Sequence, residues 1–240
     1  MVSTARATTV ESRDGQLRVA TVEHLLAALA GLGIYEGLTI LVQGPELPLL
    51  DGGAAAWCRA VAGLGLPGPR AGAPGSEVRG GYARSGPRLR VGREATLEVG
   101  LSRFDFTPGE QLDLSVCIDL GDARGPLEAR WRGEPGDFVE RIAPARTFTL
   151  GRDIEDLVRQ GLARHVDPTS VVVLAPEGVH CAGRPFVADE PARHKLLDLM
   201  GDLYLHGGPP VGRLHAVRPG HAANLAAIRR ALDESIVLPF

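Results

Sequence analysis

The first strong pattern along the chain is an apolar segment at residues 23–30, where hydrophobic side chains cover nearly the whole circumference of a helix. A helix that is apolar all round is typical of a protein core, so we expect this one to be buried. Thr21 is the predicted N-cap, and Gly31 or Gly33 is expected to end the helix.

Further along, the spacing of apolar and polar positions predicts a mixture of strands and helices. The predicted strands are 38–42, 95–101, 112–118, 170–174 and 211–217. The predicted helices are 54–64, 137–142, 153–160, one that begins near Pro191 and ends at 207–210, and 221–233. Because the strands and helices do not alternate regularly, the pattern favours α+β layers over a doubly wound sheet.

A stretch rich in proline and glycine, residues 67–75, interrupts all periodicity and predicts a linker. We therefore expect an N-terminal α+β domain at 1–66, a linker at 67–76 and a C-terminal α+β domain at 77–240.

Composition and charge narrow the class of protein. The hydrophobic fraction of 44% and the charged fraction of 23% are typical of soluble globular proteins. A net charge of −3 gives no electrostatic reason to expect a nucleic acid as partner. The three cysteines are far apart, which argues against a disulfide framework and against a thiolate metal site. No signal-peptide pattern opens the chain and no apolar run is long enough to span a bilayer, so we expect a cytoplasmic monomer without stable membrane insertion.

The most informative chemical pattern lies on the helix predicted after Pro191. His194 and Asp198 are four residues apart, so their side chains reach the same point, and Asp202 continues this face by one turn. An imidazole and a carboxylate that converge offer two of the three protein ligands of a catalytic zinc site. A buried hydrogen-bonded pair or a solvated helix face is the alternative interpretation.

Two further histidines could complete such a site. His24 follows Glu23 in the first turn of the buried helix, where a metal-binding imidazole and a proton-accepting carboxylate can act together, although such pairs are more often structural. His221 begins the last helix and is either a capping or surface residue or, with Asp202 behind it, a proton donor. Lys195 is either a surface lysine or a contact for a substrate phosphate.

Together these segments resemble the zinc-dependent UDP-3-O-acyl-N-acetylglucosamine deacetylases of lipid A biosynthesis. The matching stretches are TVEHLLAALAGLGI (21–34), ELPLLDGGAA (46–55), ARTFTLGRDIEDL (145–157), RHKLLDLMGDLYL (193–205) and GHAANLAAI (220–228). The combination of TVEHL, HKLLDxxGD and GHxxN is highly specific for this family. The resemblance runs over nearly the whole chain and is weak only between residues 67 and 135.

The resemblance implies two layered α/β-sandwich domains with zinc at their junction, held by His24, His194 and Asp198. It implies hydrolysis of the N-acetyl group of a UDP-linked acylated amino sugar with release of acetate, although iron can occupy such a site.

The resemblance also implies roles for residues around the metal. Glu23 would be the general base, Thr147 would help to hold the oxyanion, and His221 would be a second acid/base group oriented by Asp202.

Substrate contacts are implied as well. Lys195 would contact the diphosphate or sugar, and Phe148 with the stretch 150–185 would lie near the acyl-chain passage and the nucleotide-sugar site.

Three departures from the family pattern leave alternatives open. The chain lacks the glycine-rich GxGLHxG element, so the first domain is expected to lack N-terminal strands, and the loops at 165–170 and 188–192 differ from the usual sequences. One alternative is a zinc amidohydrolase that acts on another N-acyl amino sugar. The other is a truncated relative that binds zinc or a nucleotide sugar without turnover.

Overall fold

The computed structural model describes residues 2–3, 7–64, 88–159 and 166–240, and these form a mixed α+β fold, as predicted. The helices are α1 (Glu23–Leu32), α2 (Ala55–Gly63), α3 (Pro135–Asp137), α4 (Ile154–Arg159), α5 (Glu190–Tyr204) and α6 (His221–Asp233). A π-helical turn, Phe138–Ile142, follows α3, and a 3₁₀ turn, Gly151–Asp153, precedes α4. The predicted linker at 67–76 lies outside the described residues.

The strands are short and form four sheets within the described ranges. They are β1 (Val2–Ser3), β2 (Thr9–Glu11), β3 (Arg18–Val19), β4 (Leu89–Val91), β5 (Ala95–Val99), β6 (Ser102–Thr107), β7 (Leu112–Asp119), β8 (Pro126–Trp131), β9 (Thr147–Leu150), β10 (Val171–Ala175), β11 (Gly178–His180), β12 (Gly212–Val217) and β13 (Val237–Pro239).

The largest sheet has the strand order β5-β6-β12-β7-β8, in which β12 runs parallel to β7 and antiparallel to β6. Successive side chains along each strand point to opposite faces of this sheet. Val116 and Ala216 are buried on one face, whereas Ser115 and His215 are only partly buried on the other. The buried face packs against α5 and α6, so the sheet supports the helix that carries His194.

The helix α1 lies against α5, and nine of its ten residues are buried. This confirms the prediction of an internal helix. Close packing depends on Gly201 of α5, where an added Cβ would lie 2.1 Å from the backbone oxygen of Glu23. The glycine therefore lets the first turn of α1 rest directly on α5.

A small sheet, β9-β10-β11, brings a second chain segment to the N-terminal half of α5. β9 and β10 are parallel and β10 and β11 are antiparallel. The junction with α5 is fixed by a buried ion pair in which Arg146 Nε lies 2.9 Å from Glu190 Oε1. Arg146 also donates to the backbone oxygens of Ala182 and Arg184, and its own backbone N–H donates to Glu190.

Replacing Glu190 with glutamine is expected to lower the free energy of unfolding by about 3–5 kcal/mol, because the buried guanidinium of Arg146 loses its counter-charge. Urea unfolding of the purified variant measures this loss. The matched control is Glu234→Gln, which breaks an exposed pair with Arg230 and should cost less than about 1 kcal/mol. Equal losses in the two variants would contradict the assigned role of the buried pair.

Two predictions at the start of the chain are wrong. Residues 38–42 form no strand, since no described strand lies beside them to accept their backbone hydrogen bonds, and Leu41 is 92% exposed. Thr21 is not the N-cap, which is Val22. Thr21 has a positive φ of 58°, and its hydroxyl donates instead to Glu46 Oε1 at 2.6 Å.

Other boundaries differ for local reasons. The strand predicted at 95–101 ends at Val99, because Gly100 turns the chain with a φ of 59° into β6, which was not predicted. β8 was also missed, since its outward-facing residues are polar and proline begins it. The helix predicted at 137–142 is the π-helical turn, and α5 ends at Tyr204, before the glycines at 207–208. The end of the predicted helix 153–160 lies outside the described residues.

Within the described ranges, no helix combines the length and the apolar character that crossing a membrane requires. All three cysteines are free, as their spacing predicted.

Candidate metal centre

Three buried side chains converge where α1 crosses α5. One ligand atom from each of His24, His194 and Asp198 lies within 4.8 Å of the other two. Asp198 Oδ1 is 3.7 Å from Nε2 of His24 and 3.3 Å from Nε2 of His194. The two imidazole rings meet edge to face, with centroids 5.0 Å apart. The structure therefore brings together the three residues that were predicted as metal ligands.

Neighbouring groups fix the orientation of two of these side chains. Nδ1 of His194 lies 3.0 Å from the backbone oxygen of Ala145, a contact that places the proton on Nδ1 and leaves Nε2 free to bind a metal. Lys195 Nζ donates to Asp198 Oδ2 at 2.7 Å. One carboxylate oxygen is therefore paired with the ammonium, and the other, Oδ1, points towards the two histidines.

Asp198 Oδ1 is the observation that tests whether a metal fits. It is buried and has no hydrogen-bond partner among the described residues, an arrangement that is costly unless another group satisfies the oxygen. Ligands of tetrahedral zinc at about 2.0–2.1 Å from the ion lie about 3.3 Å from one another. Two of the three ligand-atom separations, 3.3 Å and 3.7 Å, are close to this value, and all three are within 4.8 Å, so the donor set is compatible with zinc.

Burial keeps both histidines in the neutral form that binds metals. Burial, reinforced by the neighbouring His194, lowers the pKa of His24 to about 3, and burial also lowers the pKa of His194. Burial alone would raise the pKa of Asp198, but Lys195 and the surrounding histidines hold it well below its usual range. The site thus presents two neutral imidazoles and an anionic carboxylate, which are the protonation states that zinc requires.

Glu23 lies next to His24 at the start of α1 and is 3% exposed. Burial raises the pKa of Glu23 to about 7, and the nearby charge of Asp198 adds to the rise. Its Oε2 accepts a hydrogen bond from the backbone N–H of Thr8 at 2.9 Å. A carboxyl group that titrates near neutral pH is suited to proton transfer.

His221 begins α6 and faces the same centre. Its Nδ1 lies 2.9 Å from Asp202 Oδ2, and its Nε2 lies 4.0 Å from Asp198 Oδ2. Burial disfavours the charged imidazolium, but the two carboxylates outweigh burial and raise the pKa of His221 to about 9. Asn224, one turn further along α6, donates to the same oxygen of Asp202 at 2.8 Å. Asp202 therefore holds the imidazole of His221 in one orientation, and the nearby carboxylates favour its protonated form.

Comparison with known families decides the classification. The sequence model of the LpxC family, described as UDP-3-O-acyl N-acetylglycosamine deacetylase, matches residues 1–233. The chain belongs to this deacetylase family.

Individual deacetylases of the family are also similar over most of their length. The UDP-3-O-acyl-N-acetylglucosamine deacetylase of Myxococcus xanthus is 35% identical over 244 residues, covering 98% of this chain and 70% of the relative. That of Anaeromyxobacter sp. strain Fw109-5 is 37% identical, covering 92% of this chain and 68% of the relative. That of Thermosynechococcus vestitus is 34% identical, covering 98% of this chain and 76% of the relative.

Of the other predicted site residues of this family member, Lys195 and Phe148 contact the cluster. The Lys195 ammonium is 5.6 Å from the centroid of the Phe148 ring, which in turn meets His194 edge to face at 6.3 Å. Thr147 begins β9, and its backbone N–H donates to the oxygen of Gly52. Its hydroxyl makes no hydrogen bond to any described residue of the cluster, and successive residues of a strand point to opposite faces, so its role stays a prediction.

Sequence reasoning missed several residues that shape this deacetylase site. Asn224 lies three residues after His221 in a helix, a spacing that could have identified it. The buried pair of Arg146 and Glu190 gave no local signal, since the two residues are 44 positions apart. Thr8 gave none either, because two adjacent threonines, Thr8 and Thr9, in a short segment near the start of the chain are a common sequence feature.

The charge on His221 predicts how the stability of the metal-free protein depends on pH. The pKa of His221 is about 9 when folded, against 6.5 for an unperturbed histidine, so the folded state retains a proton that the unfolded chain releases between these values. The stabilisation is complete below pH 6.5 and is lost as the pH rises to 9. We expect this group to account for about 3 kcal/mol of that loss.

Urea unfolding of chelator-treated protein at both ends of this range measures the effect. The variant His221→Gln should lack this part of the pH dependence. An unchanged pH dependence in the variant would show that another group is responsible.

Proposed function

We propose that this chain hydrolyses the N-acetyl group of UDP-3-O-acyl-N-acetylglucosamine and releases acetate, a step of lipid A biosynthesis. The observation that carries the proposal is the convergence of His24, His194 and Asp198 beside Glu23, in a chain that belongs to the deacetylase family. The unpartnered oxygen of Asp198 supports a metal at this point rather than a self-contained hydrogen-bonded cluster.

In this proposal His24, His194 and Asp198 hold the metal ion. Zinc bound there would supply a Lewis acid and make water nucleophilic near neutral pH. Lys195 keeps Oδ2 of Asp198 occupied, so that Oδ1 is the oxygen available to the ion.

Glu23 takes a proton from the attacking water while the new C–O bond forms at the amide carbonyl. The hydrogen bond from Thr8 holds its Oε2, and Oε1 makes no hydrogen bond within the described part of the chain and is free to accept that proton. Burial of the carboxylate raises its basicity, which strengthens its action as a base.

His221 donates a proton to the amine nitrogen as the C–N bond breaks. Asp202 supports this role, because its carboxylate accepts from Nδ1 and thereby directs Nε2 towards the centre. Thr147 is assigned to the carbonyl oxygen, where its hydroxyl, which has no hydrogen bond to a described residue, would donate one as negative charge develops.

The proposed substrate contacts are Lys195 and Phe148, at the edge of the metal cluster. Lys195 is assigned to the diphosphate or the sugar, and the partial exposure of its ammonium at the edge of the cluster supports this role. Phe148 provides an apolar surface beside that ammonium and beside His194, which suits the beginning of an acyl-chain passage. In the same proposal the metal centre lies at the junction of an N-terminal domain, 1–66, and a C-terminal domain, 77–240.

Acetate release from UDP-3-O-acyl-N-acetylglucosamine after zinc reconstitution tests the function. We expect turnover that a chelator abolishes and zinc restores, and much slower turnover of UDP-N-acetylglucosamine, which lacks the acyl chain. Similar rates on both sugars would favour a zinc amidohydrolase with another substrate. A folded, zinc-loaded chain that releases no acetate would overturn the proposal.

A further inference from the structure

Thr8 is completely buried and contacts two groups of the proposed acid–base machinery, Glu23 and Asp202. Its backbone N–H donates to Glu23 Oε2 at 2.9 Å, and its hydroxyl donates to Asp202 Oδ1 at 2.6 Å. Its backbone oxygen accepts a third hydrogen bond, from the N–H of Val22 at 3.2 Å. One residue, outside both helices, therefore joins the start of α1 to the end of α5.

We propose that Thr8 is a positioning residue that couples the base Glu23 to the pair formed by Asp202 and His221. This inference rests on the proposed function, because it assigns Thr8 to the same reaction. Thr8 itself need not touch the substrate.

The hydroxyl of Thr8 completes the hydrogen bonding of Asp202. Asp202 is fully buried, and Oδ2 accepts from both His221 and Asn224, whereas Thr8 is the one described donor to Oδ1. Without the hydroxyl, Oδ1 would be a buried carboxylate oxygen with no partner. The carboxylate would then be expected to rotate or shift, and the imidazole that it holds would move with it.

The backbone N–H of Thr8 holds the carboxylate of Glu23. It engages one oxygen of Glu23, and the hydrogen bond to Val22 anchors Thr8 to the residue just before that glutamate. Any displacement of Thr8 is therefore transmitted to the base as well as to Asp202. Both groups act on the same substrate amide, so a small change in their relative position would lower the rate of the chemical step.

Thr8→Val tests this role, since valine keeps the shape and the backbone N–H but removes the hydroxyl. We expect kcat to fall by about 10–100-fold, as is usual when a residue that orients catalytic or metal-binding groups is lost. KM and zinc content should remain close to those of the wild type. Thr8→Ser, which restores the hydroxyl, should recover most of the activity.

The matched control is Ser115→Ala. Ser115 is a half-buried residue of β7 whose hydroxyl lies 2.9 Å from Nδ1 of His215, on the face of the large sheet that points away from α5. Its loss should change the melting temperature without changing kcat. A serine variant at position 8 that is as slow as the valine variant would overturn the positioning role.

A double-mutant cycle separates positioning from general destabilisation. In a His221→Gln background, Thr8→Val should reduce kcat by less than about twofold further, because the imidazole that the Thr8 hydroxyl orients through Asp202 is already missing and valine keeps the N–H that holds Glu23. A full additional loss in that background would contradict the proposed coupling. If the valine variant does not fold, Thr8→Cys takes its place, since a thiol is a weaker donor of similar size. The kcat of the cysteine variant should lie between that of the wild type and that predicted for the valine variant. A cysteine variant with the kcat of the wild type would overturn the proposal.

The same assay distinguishes the two proposals. A wild-type chain that releases no acetate would contradict the proposed function. A wild-type chain that is active, together with a valine variant of equal kcat, would contradict only the role of Thr8.

Discussion

Replacing Glu23 with glutamine should reduce acetate release by roughly 10²–10⁴-fold while zinc content stays unchanged. Glutamine has the same shape, and its amide oxygen can still accept the hydrogen bond from the backbone of Thr8. It cannot take a proton from water, so the loss isolates the proton transfer. Steady-state kinetics with metal analysis of the same samples measures both quantities.

The control for this variant is Glu36→Gln, which removes the charge of an exposed glutamate paired with Arg88 at 2.8 Å. It should leave kcat unchanged. Full activity in Glu23→Gln would show that another group is the base. Loss of zinc from Glu23→Gln would show instead that the carboxylate holds the ligands in place.

Replacing His194 with alanine should remove both bound zinc and activity. Loss of a group that only supports a metal ligand costs about 10–100-fold in metal affinity, so loss of a ligand should cost more than about 100-fold. The cavity left by the ring adds a structural penalty, because His194 is 2% exposed and packs edge to face against His24. Metal analysis after dialysis and acetate release together test this expectation.

The matched control is His215→Ala, on the outer face of the large sheet, where Nδ1 of His215 lies 2.9 Å from Ser115 Oγ. It should retain zinc and activity. A His194→Ala protein that binds zinc as tightly as the wild type would contradict the ligand set. Circular dichroism of both variants shows whether a loss of zinc follows from a loss of fold.

The parts of the site that lie on one helix could be predicted from the sequence. The spacing of His194, Asp198 and Asp202 fixes their common face once α5 is recognised, and the geometry agrees with that expectation. The helix that begins at His221 has the bounds that its pattern predicted. In each case a local period determined the arrangement.

The parts that depend on contacts between distant segments could not be predicted in this way. Nothing near Thr8 indicates that its hydroxyl meets a carboxylate 194 positions away. Thr21 has the residue type of an N-cap, but its positive φ and its bond to Glu46 override that preference. The apolar run at 38–42 has strand propensity, and only the absence of a neighbouring strand among the described residues decides against it.

The contact between Thr8 and Asp202 also bears on how the enzyme would acquire activity during folding. Because the two residues are 194 positions apart, this hydrogen bond forms only when the N-terminal segment docks against α5, and contacts of such sequence separation tend to form late in folding. The circular dichroism signal of the helices can return early in refolding, because the backbone hydrogen bonds of α5 and α6 are local. Catalytic activity would therefore be among the last properties to recover on dilution from denaturant. The time course with which acetate release returns would report the rate of the final folding step.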